Sequence, residues 1–295
     1  MRQEECGSYV DVVWTADVIH DVTCRISVYG SLAVEPGTIV RVGCEGGFEV
    51  VDQMHLSGAV LTRRDDPEFM APSGPDDCSD EIASEDYGRT IIRQRTSKVM
   101  IENSYVQGAV ITTDEDRAAG ATVEVAQSTV EQSIVDTDGA VVRFTSSSLP
   151  GTRLLLKQAG PGSEVSNNQF FGIGMPVVML NGLSAIDLTS DSSGNRFGAG
   201  PSENAVTLSG GYNGDDEWSA PRLVVHLGSL SVGKNAELTI KNGVTVKRSC
   251  ASKGDRSFMV LGKLSVSNAN LTYAGDDSVG GDTNGEGGLC GLPLD

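Results

Sequence analysis

The sequence has few aromatic and few basic residues for its length. Of 295 residues, 7 are Phe, 6 are Tyr and 2 are Trp, while 22 Lys and Arg stand against 40 Asp and Glu. The formal net charge of −18, without any block of basic residues, excludes a protein that binds nucleic acid or an anionic membrane, because phosphate contacts require clustered Lys and Arg. No run approaches the ~18 apolar residues of a membrane span, so we expect no transmembrane segment.

Glycine, in contrast, is abundant at 36 residues, and Val, Ser and Thr are plentiful. This composition favours many short, similar strands over a helical bundle. One long segment is repeated: residues 32–44 recur as residues 238–250, with apolar residues and Gly in the same places. Shorter matches flank it, and the offset between them grows slowly in one direction, as loop insertions after a duplication produce. We therefore predict a module over residues 1–217 and the start of a second, homologous module over residues 218–295.

The six cysteines follow the same repeat. Two of them occupy equivalent places in each repeated segment, so we predict the pairs Cys44 with Cys78 and Cys250 with Cys290, which leaves Cys6 with Cys24. An even count in a duplicated pattern favours disulfides over reduced thiols and indicates an oxidising compartment. The first residues lack the apolar core of a signal peptide, so we expect that a targeting segment has been removed and that the protein is extracellular, at the cell surface.

A shorter motif returns along the chain, in which an apolar anchor is followed two places later by Asn, Gln or Ser. Successive anchors from Ile101 to Leu188 are 24, 19, 21 and 23 residues apart. This spacing is typical of solenoid coils, whose short strands stack at about 4.8 Å. A β-sandwich also has short strands but gives no polar residue at a fixed offset. We expect the polar residues to form a hydrogen-bonded ladder at one bend, and they are Gln53, Asn103, Gln127, Ser146, Asn167, Ser190 and Asn268.

With these residues in view, the chain resembles the right-handed parallel β-helix modules of large bacterial cell-surface and adhesin-like proteins. Residues 14–19 resemble the start of such a module, residues 32–38 resemble its first-coil segment, and residues 276–287 resemble its acidic, Gly-rich loop. The resemblance implies an all-β fold, a right-handed parallel β-helix (β-solenoid), here with coils of about 19–24 residues and disulfide-tied loops. Most members have no assigned chemistry, so the resemblance bears on architecture more than on activity.

Acidic clusters are the repeated polar feature, and they occur at residues 65–66, 76–81, 114–116, 215–217 and 276–277. Paired carboxylates can hydrolyse glycosides. The acidic clusters lie among Gly, Ser and Pro residues, and such surroundings favour ordinary solvated loops over catalytic sites.

One acidic loop has the spacing of a calcium site. Asp282, Asn284 and Glu286 place oxygen ligands at alternate positions of a tight turn, and Asp276 or Asp277 can complete the set. Oxygen ligands of this kind suit Ca²⁺. The alternative is an ordinary acidic turn, because no bidentate Glu follows at the place that an EF-hand requires.

We therefore expect a non-catalytic structural or adhesive module of a secreted bacterial surface fibre. Its expected partners are copies of itself or neighbouring modules, end to end, and cell-surface glycans. Two alternatives stay open: a carbohydrate-active β-helix enzyme, either a glycoside hydrolase or a polysaccharide lyase, and a calcium-dependent glycan-binding module.

Overall fold

A computed structural model describes residues 1–43, 45–63, 89–92, 97–113, 121–157, 159–171, 177–179, 186–197, 205–220, 222–248, 258–273, 275–276 and 278–280. The chain is all-β and forms a parallel β-solenoid of about nine turns, which confirms the predicted fold class. It divides into two compact units, Met1–Ser148 and Leu149–Asp295. The predicted module boundary between residues 217 and 218 stays a prediction.

The first unit stacks its strands in parallel on three faces. Two long strands, β1 (Arg2–Tyr9) and β3 (Ile19–Val28), bend around a corner and so contribute to two faces. One of these faces continues through β5 (Ile39–Val42), β8 (Val60–Arg63), β11 (Tyr105–Gln107) and β14 (Thr129–Glu131). The other continues through β6 (Gly47–Val50), β9 (Arg89–Ile92), β12 (Val110–Thr113) and β15 (Ile134–Asp138). The third face contains β2 (Val12–Trp14), β4 (Ser31–Val34), β7 (Gln53–Ser57), β10 (Lys98–Glu102), β13 (Thr122–Ala126) and β16 (Val141–Thr145).

The second unit follows β17 (Ser148–Pro150), which contains the boundary. Its first strands are β18 (Arg153–Lys157), β19 (Glu164–Ser166), β20 (Gln169–Phe171), β21 (Val177–Met179) and β22 (Arg196–Phe197), with a short 3-10 helix at Asp191–Ser193. Eight more strands complete it: β23 (Ala205–Tyr212), β24 (Asp216–Trp218), β25 (Val224–Val232), β26 (Glu237–Ile240), β27 (Thr245–Arg248), β28 (Phe258–Val260), β29 (Lys263–Val266) and β30 (Asn270–Tyr273). Here β23 and β25 are the long strands that bend around a corner.

These last eight strands repeat the first eight in order and pairing, and each has the same length as its counterpart to within one residue. In each set a long strand pairs with a second long strand, which pairs with two short strands on different faces. Trp14 closes β2 and Trp218 closes β24, and both indole rings are buried. We call residues 1–63 the first copy and residues 205–273 the second copy. The sequence repeat of residues 32–44 and 238–250 thus falls on β4 and β5 and on β26 and β27.

Apolar side chains fill the interior of the coils. The predicted anchors Ile101, Val125, Phe144 and Val165 are all at most 1% exposed. Ile101 pairs with Val125 and Val125 with Phe144, in register between parallel strands. Each such side chain stabilises the fold by about 1.5–3 kcal/mol relative to an exposed one.

The predicted polar column marks a bend rather than the interior. Asn103, Gln127, Ser146, Asn167 and Asn268 have φ between 48° and 56° and are exposed. Asn tolerates this left-handed backbone conformation better than most residues. Gln53 instead lies exposed on β7, and Ser190 is the buried N-cap of the 3-10 helix.

The ladder itself is formed by the residues that come one place later. Ser104 Oγ accepts from the backbone N–H of Ala59 at 3.1 Å, Ser128 Oγ accepts from that of Ser104 at 3.1 Å, and Ser147 Oγ accepts from that of Ser128 at 3.2 Å. All three serines are buried. We call Ser104, Ser128 and Ser147 the serine ladder, which satisfies bend N–H groups that would otherwise be buried without partners.

The first coil differs from the coils that follow it in the first unit, because polar groups occupy its interior. Glu5 is buried and its carboxylate accepts from the Tyr9 hydroxyl and lies 2.7 Å from His20 Nδ1. The His20 ring stacks on Trp14 with centroids 4.5 Å apart. We call Glu5, Tyr9, Trp14 and His20 the N-terminal polar cluster. A disulfide between Cys6 and Cys24 joins the first two long strands beside it, as the sequence predicts.

Candidate functional site: an acidic pocket in the second unit

The second unit contains a pocket of about 570 Å³ on the outer surface of β24 and β26. Its lining is almost entirely acidic or hydroxylic and consists of Asp187, Ser190, Ser192, Asp215, Asp216, Glu217, Glu237 and Thr239. We call it the acidic pocket. The pairing of Glu217 with Thr239 places β24 and β26 side by side beneath it.

The loop before the 3-10 helix supplies one carboxylate. Asp187 accepts from the backbone N–H of Ser190 at 3.1 Å and from its hydroxyl at 2.6 Å. The Ser192 hydroxyl is a further donor at 3.3 Å. These bonds fix the carboxylate in place at the mouth of the loop, as in an Asx turn.

Two other carboxylates are held in the ionised form by Lys241, just after β26, and Lys263, at the start of β29. Lys241 Nζ lies 2.7 Å from Glu217 Oε2, and this contact, with a hydrogen bond from Ser219, lowers the pKa of Glu217 below its ordinary value. Lys263 Nζ lies 2.7 Å from Glu237 Oε1 and lowers the pKa of Glu237 in the same way. A positive charge within hydrogen-bonding distance favours the carboxylate over the neutral acid.

Asp216 has the opposite environment. Its side chain lies against Tyr212 and Trp218, and burial there raises its pKa to about 6 despite hydrogen bonds to those residues; the negative charge of Asp187 adds to the increase. The Trp218 indole N–H also donates to Tyr212 Oη at 3.1 Å. Near pH 6, Asp216 therefore carries a proton about half of the time, whereas Glu217 and Glu237 in the same pocket are ionised.

This division of protonation states is the one that acid–base chemistry on a sugar requires. A carboxyl group of raised pKa can donate a proton to a leaving oxygen, while an ionised neighbour can act as base or nucleophile. None of the described residues that line the pocket is an aromatic on which a sugar ring could stack.

The acidic pocket is specific to the second copy. At the equivalent positions of the first copy, Asp216 and Glu217 are replaced by Val12 and Val13, and Glu237 and Thr239 by Ser31 and Ala33. Asp215 is the exception, because Asp11 occupies its place and has the same role. Asp11 accepts from the backbone N–H of Ser31 at 3.0 Å, and Asp215 accepts from that of Glu237 at 2.8 Å.

The sequence singled out residues 215–217 as an acidic cluster but did not connect them with Asp187, Glu237 or their lysines. Asp187 lies one coil earlier, so only the coil register brings it into the pocket. Glu237 could have been found by aligning the two copies, since it replaces Ser31 at the position immediately before the repeated stretch.

Most of the other predicted site residues lie outside the described residues. These are Cys44, Cys78, Cys250 and Cys290 and the proposed calcium ligands Asp277, Asp282, Asn284 and Glu286. Asp276, next to that set, accepts hydrogen bonds from Ser278 and Thr272. These bonds lower the pKa of Asp276, and the bond from Ser278 contributes most. In the part of the chain that the structure describes, no three His, Cys, Asp or Glu side chains are grouped so that they could hold a metal ion.

No protein-family model, no curated protein and no solved structure matches this chain. No helix among the described residues is long and apolar enough to cross a membrane.

Proposed function

We propose that the chain is a non-catalytic structural and adhesive module of a secreted, cell-surface bacterial protein. The observation that carries this proposal is the repetition of β1–β8 as β23–β30 inside one solenoid fold. Each coil of a solenoid contacts only its neighbours, so the stack gains length by duplication without disturbing a central core. Duplication of this kind suits a rod that spaces or presents a surface.

Two further features support an extracellular setting. The Cys6–Cys24 disulfide is of the kind that persists in oxidising compartments. The net charge of −18 keeps such a rod soluble and repels anionic polymers that lack a bridging cation. The resemblance to adhesin-like β-helix modules belongs to this proposal, as do binding to cell-surface glycans and end-to-end contacts with copies or neighbouring modules.

The modular character can be tested by removing one whole coil. Deletion of residues 125–143 brings Phe144 into the place of Val125, 19 residues earlier, and we expect a folded protein with a parallel-β circular dichroism spectrum. Deletion of residues 125–133 removes about half a coil and breaks the register, so this control should not fold. Equal loss of structure in both variants would contradict a nearest-neighbour stack.

The absence of catalysis is tested separately. We expect the purified chain to bind at least one member of a panel of acidic and neutral polysaccharides, and to release no product from any of them over a day. Binding that is unchanged in Asp216→Asn supports an adhesive surface. Released oligosaccharides would overturn the non-catalytic proposal.

The acidic pocket favours a second candidate, a carbohydrate-active β-helix enzyme. In that case Asp216 is the proton donor and ionised Glu217 or Glu237 the base or nucleophile. Turnover should then be lost in Asp216→Asn, with Asp11→Asn as the control, because Asp11 has the structural role of Asp215 in the first copy and does not line the pocket.

Calcium remains a proposal for the loop that contains Asp277, Asp282, Asn284 and Glu286. Calorimetric titration with CaCl₂ tests it, and Asp282→Asn should weaken the binding. Glycan binding that disappears with EDTA would favour the calcium-dependent glycan-binding alternative.

A further inference from the structure

Each copy has a tyrosine and a tryptophan in ring contact at the corner between its first two strands. Tyr9 and Trp14 have ring centroids 6.1 Å apart in the first copy, and Tyr212 and Trp218 have centroids 6.3 Å apart in the second. The four residues stand at equivalent places, at the ends of β1, β2, β23 and β24. A tyrosine hydroxyl that is withdrawn from water needs a hydrogen-bond partner, and the two copies supply different ones.

The carboxyl group that serves the tyrosine comes from a different strand in each copy. In the first copy, the Tyr9 hydroxyl donates to Glu5, which lies on β1 and is buried. In the second copy, Leu208 stands at the place of Glu5. The Tyr212 hydroxyl is hydrogen bonded instead to Asp216, on β24. The aromatic pair is therefore common to both copies, whereas its acidic partner is not.

The acidic partner in the second copy lies at the border between the coil interior and the acidic pocket. Asp216 is two places before Trp218 on β24, so the two side chains share one face of the strand. It pairs in register with Leu238, which is buried. Asp216 also lines the acidic pocket, where the charge of Asp187 acts on it. A buried pair of aromatic residues thus reaches the wall of the pocket through this carboxyl group.

The hydrogen bonds behind Asp216 have a defined direction. Tyr212 is 2% exposed and Trp218 is fully buried. The Trp218 indole N–H donates to Tyr212 Oη at 3.1 Å, which leaves the hydroxyl proton of Tyr212 to be donated to Asp216. Trp218 is also hydrogen bonded to Asp216. Hydrogen bonds that are linked in this way and shielded from water strengthen one another and restrict the groups that they join.

We propose that Tyr212 and Trp218 are positioning residues of the acidic pocket, which hold the Asp216 carboxyl group in one orientation through their buried hydrogen bonds. The first copy has Val12 at the place of Asp216, so there the aromatic pair serves Glu5 inside the coil and no pocket. This inference rests on the enzyme candidate of the proposed function, in which Asp216 is the proton donor.

The aromatic pair and the pocket act on Asp216 in opposite directions. Among the described residues that line the pocket with it, the charged ones are all carboxylates, and lysines contact two of them: Asp187, Asp215, Glu217 with Lys241, and Glu237 with Lys263. Burial first, and then the negative charge of Asp187, raise the pKa of Asp216, whereas the hydrogen bond from Tyr212 lowers it. The resulting pKa of about 6 is close to the working pH of a general acid.

The first test is the titration of Asp216 in the full-length chain, measured by carbon-13 NMR of the aspartate carboxyl groups and assigned with Asp216→Asn. Tyr212→Phe removes a donor to the ionised form, so the midpoint should move about one pH unit higher. Tyr9→Phe makes the same change at the equivalent place of the first copy and should leave the midpoint unchanged. An unchanged midpoint in Tyr212→Phe, with native circular dichroism, would overturn the proposal.

The second test needs no change to the aromatic pair. The chain has 2 Trp, so its proton–nitrogen NMR spectrum contains two indole N–H signals. The Trp218 signal should shift with pH at the midpoint of Asp216, and Asp216→Asn should abolish that shift. A Trp218 signal that does not change between about pH 4 and pH 8, the range in which Asp216 titrates, would overturn the proposal. Neither test measures turnover, so the enzyme candidate can fail in the polysaccharide assay independently of this result.

Discussion

The two copies share most of their buried apolar positions and differ at several polar ones. Leu32 and Leu238 occupy the same buried place, as do Trp14 and Trp218. On β3 and β5, however, Asp21 pairs with Arg41, whereas His226 and Lys247 occupy the same two places in the second copy. The comparison shows that the backbone and the apolar columns specify the coil, while other positions are free to change in charge.

Buried charge illustrates this freedom. Arg41 donates from Nε and Nη2 to the two carboxylate oxygens of Asp21, each at 2.7 Å, and both residues are buried. In the second copy, burial first and then the charge of Lys247 lower the pKa of His226 to about 4. One copy therefore neutralises a buried cation with a carboxylate, and the other keeps its histidine neutral.

The largest expected effect is the loss of stability when the Asp21–Arg41 ion pair is removed. Arg41→Ala should lower the free energy of unfolding by about 3–5 kcal/mol, because it leaves a buried carboxylate without its partner. Lys241→Ala is the control, since the exposed pair with Glu217 contributes about 0–1 kcal/mol. Urea denaturation measures both. Similar losses in the two variants would show that the buried pair has no special role.

A matched pair of leucines tests the difference between a covered and an open coil. Leu61 is 5% exposed and Leu271 is 56% exposed, at equivalent positions. Leu61→Ala should cost about 2–5 kcal/mol of unfolding free energy, and Leu271→Ala about 0.5 kcal/mol or less in the monomer. Thermal melts at low protein concentration compare them. A large loss at Leu271 would mean that its side chain is covered in solution.

The pH dependence of stability separates two groups of the second copy. Asp216 has an ordinary pKa of 3.8 and a folded pKa of about 6, so between these values the folded chain binds a proton that the unfolded chain has lost, and stability falls as pH rises. His226 has an ordinary pKa of 6.5 and a folded pKa of about 4, so it makes stability rise with pH over nearly the same window.

The two contributions oppose each other, and Asp216→Asn should unmask the histidine. Between pH 4 and pH 7, we expect the free energy of unfolding of the variant to rise by up to about 3 kcal/mol more than that of the wild type. Urea denaturation at half-unit pH steps measures this. An unchanged pH profile would show that Asp216 titrates normally in the folded chain.

The N-terminal polar cluster gives the smallest effect. Glu5→Leu or His20→Val alone should each cost about 1–3 kcal/mol, because the remaining partner is left buried and unsatisfied. The double variant installs the residue types found at the equivalent places, Leu208 and Val225, and should cost less than the sum by about 1–2 kcal/mol. Strict additivity in this cycle would show that the two side chains do not interact.

The sequence predicted the coil period well because Ile101, Val125 and Phe144 are interior residues at a regular interval, and stacking demands such an interval. The polar ladder was displaced by one residue. Asn103 and Gln127 mark the left-handed bend in the sequence. The ladder hydrogen bonds, however, are accepted by the serines that follow them, whose small side chains fit the buried space. Gln53 was out of register with the other predicted ladder residues, because it pairs with Lys98, whereas Leu56 pairs with Ile101.

The acidic pocket could be predicted only in part. Asp216 and Glu217 stood out as a cluster, whereas the lowered pKa of Glu217 depends on Lys241, which is a neighbour across coils rather than along the chain. Burial of Asp216 against an aromatic pair leaves no mark in a local acidic run. Aligning the two copies reveals the difference, because Asp216 and Glu217 of the second copy stand where the first copy has Val12 and Val13.

The disulfide between Cys6 and Cys24 has a mechanical consequence. A solenoid under tension can unwind from either end, one coil at a time, each step rupturing only the hydrogen bonds to the next coil. The covalent link ties β1 to β3, so a pull at the amino terminus passes directly to the second long strand, and the first coil cannot peel away. At the same corner of the second copy, the equivalent positions hold Ser209 and Gly228, which cannot form a disulfide. This corner is therefore held covalently in the first copy and not in the second.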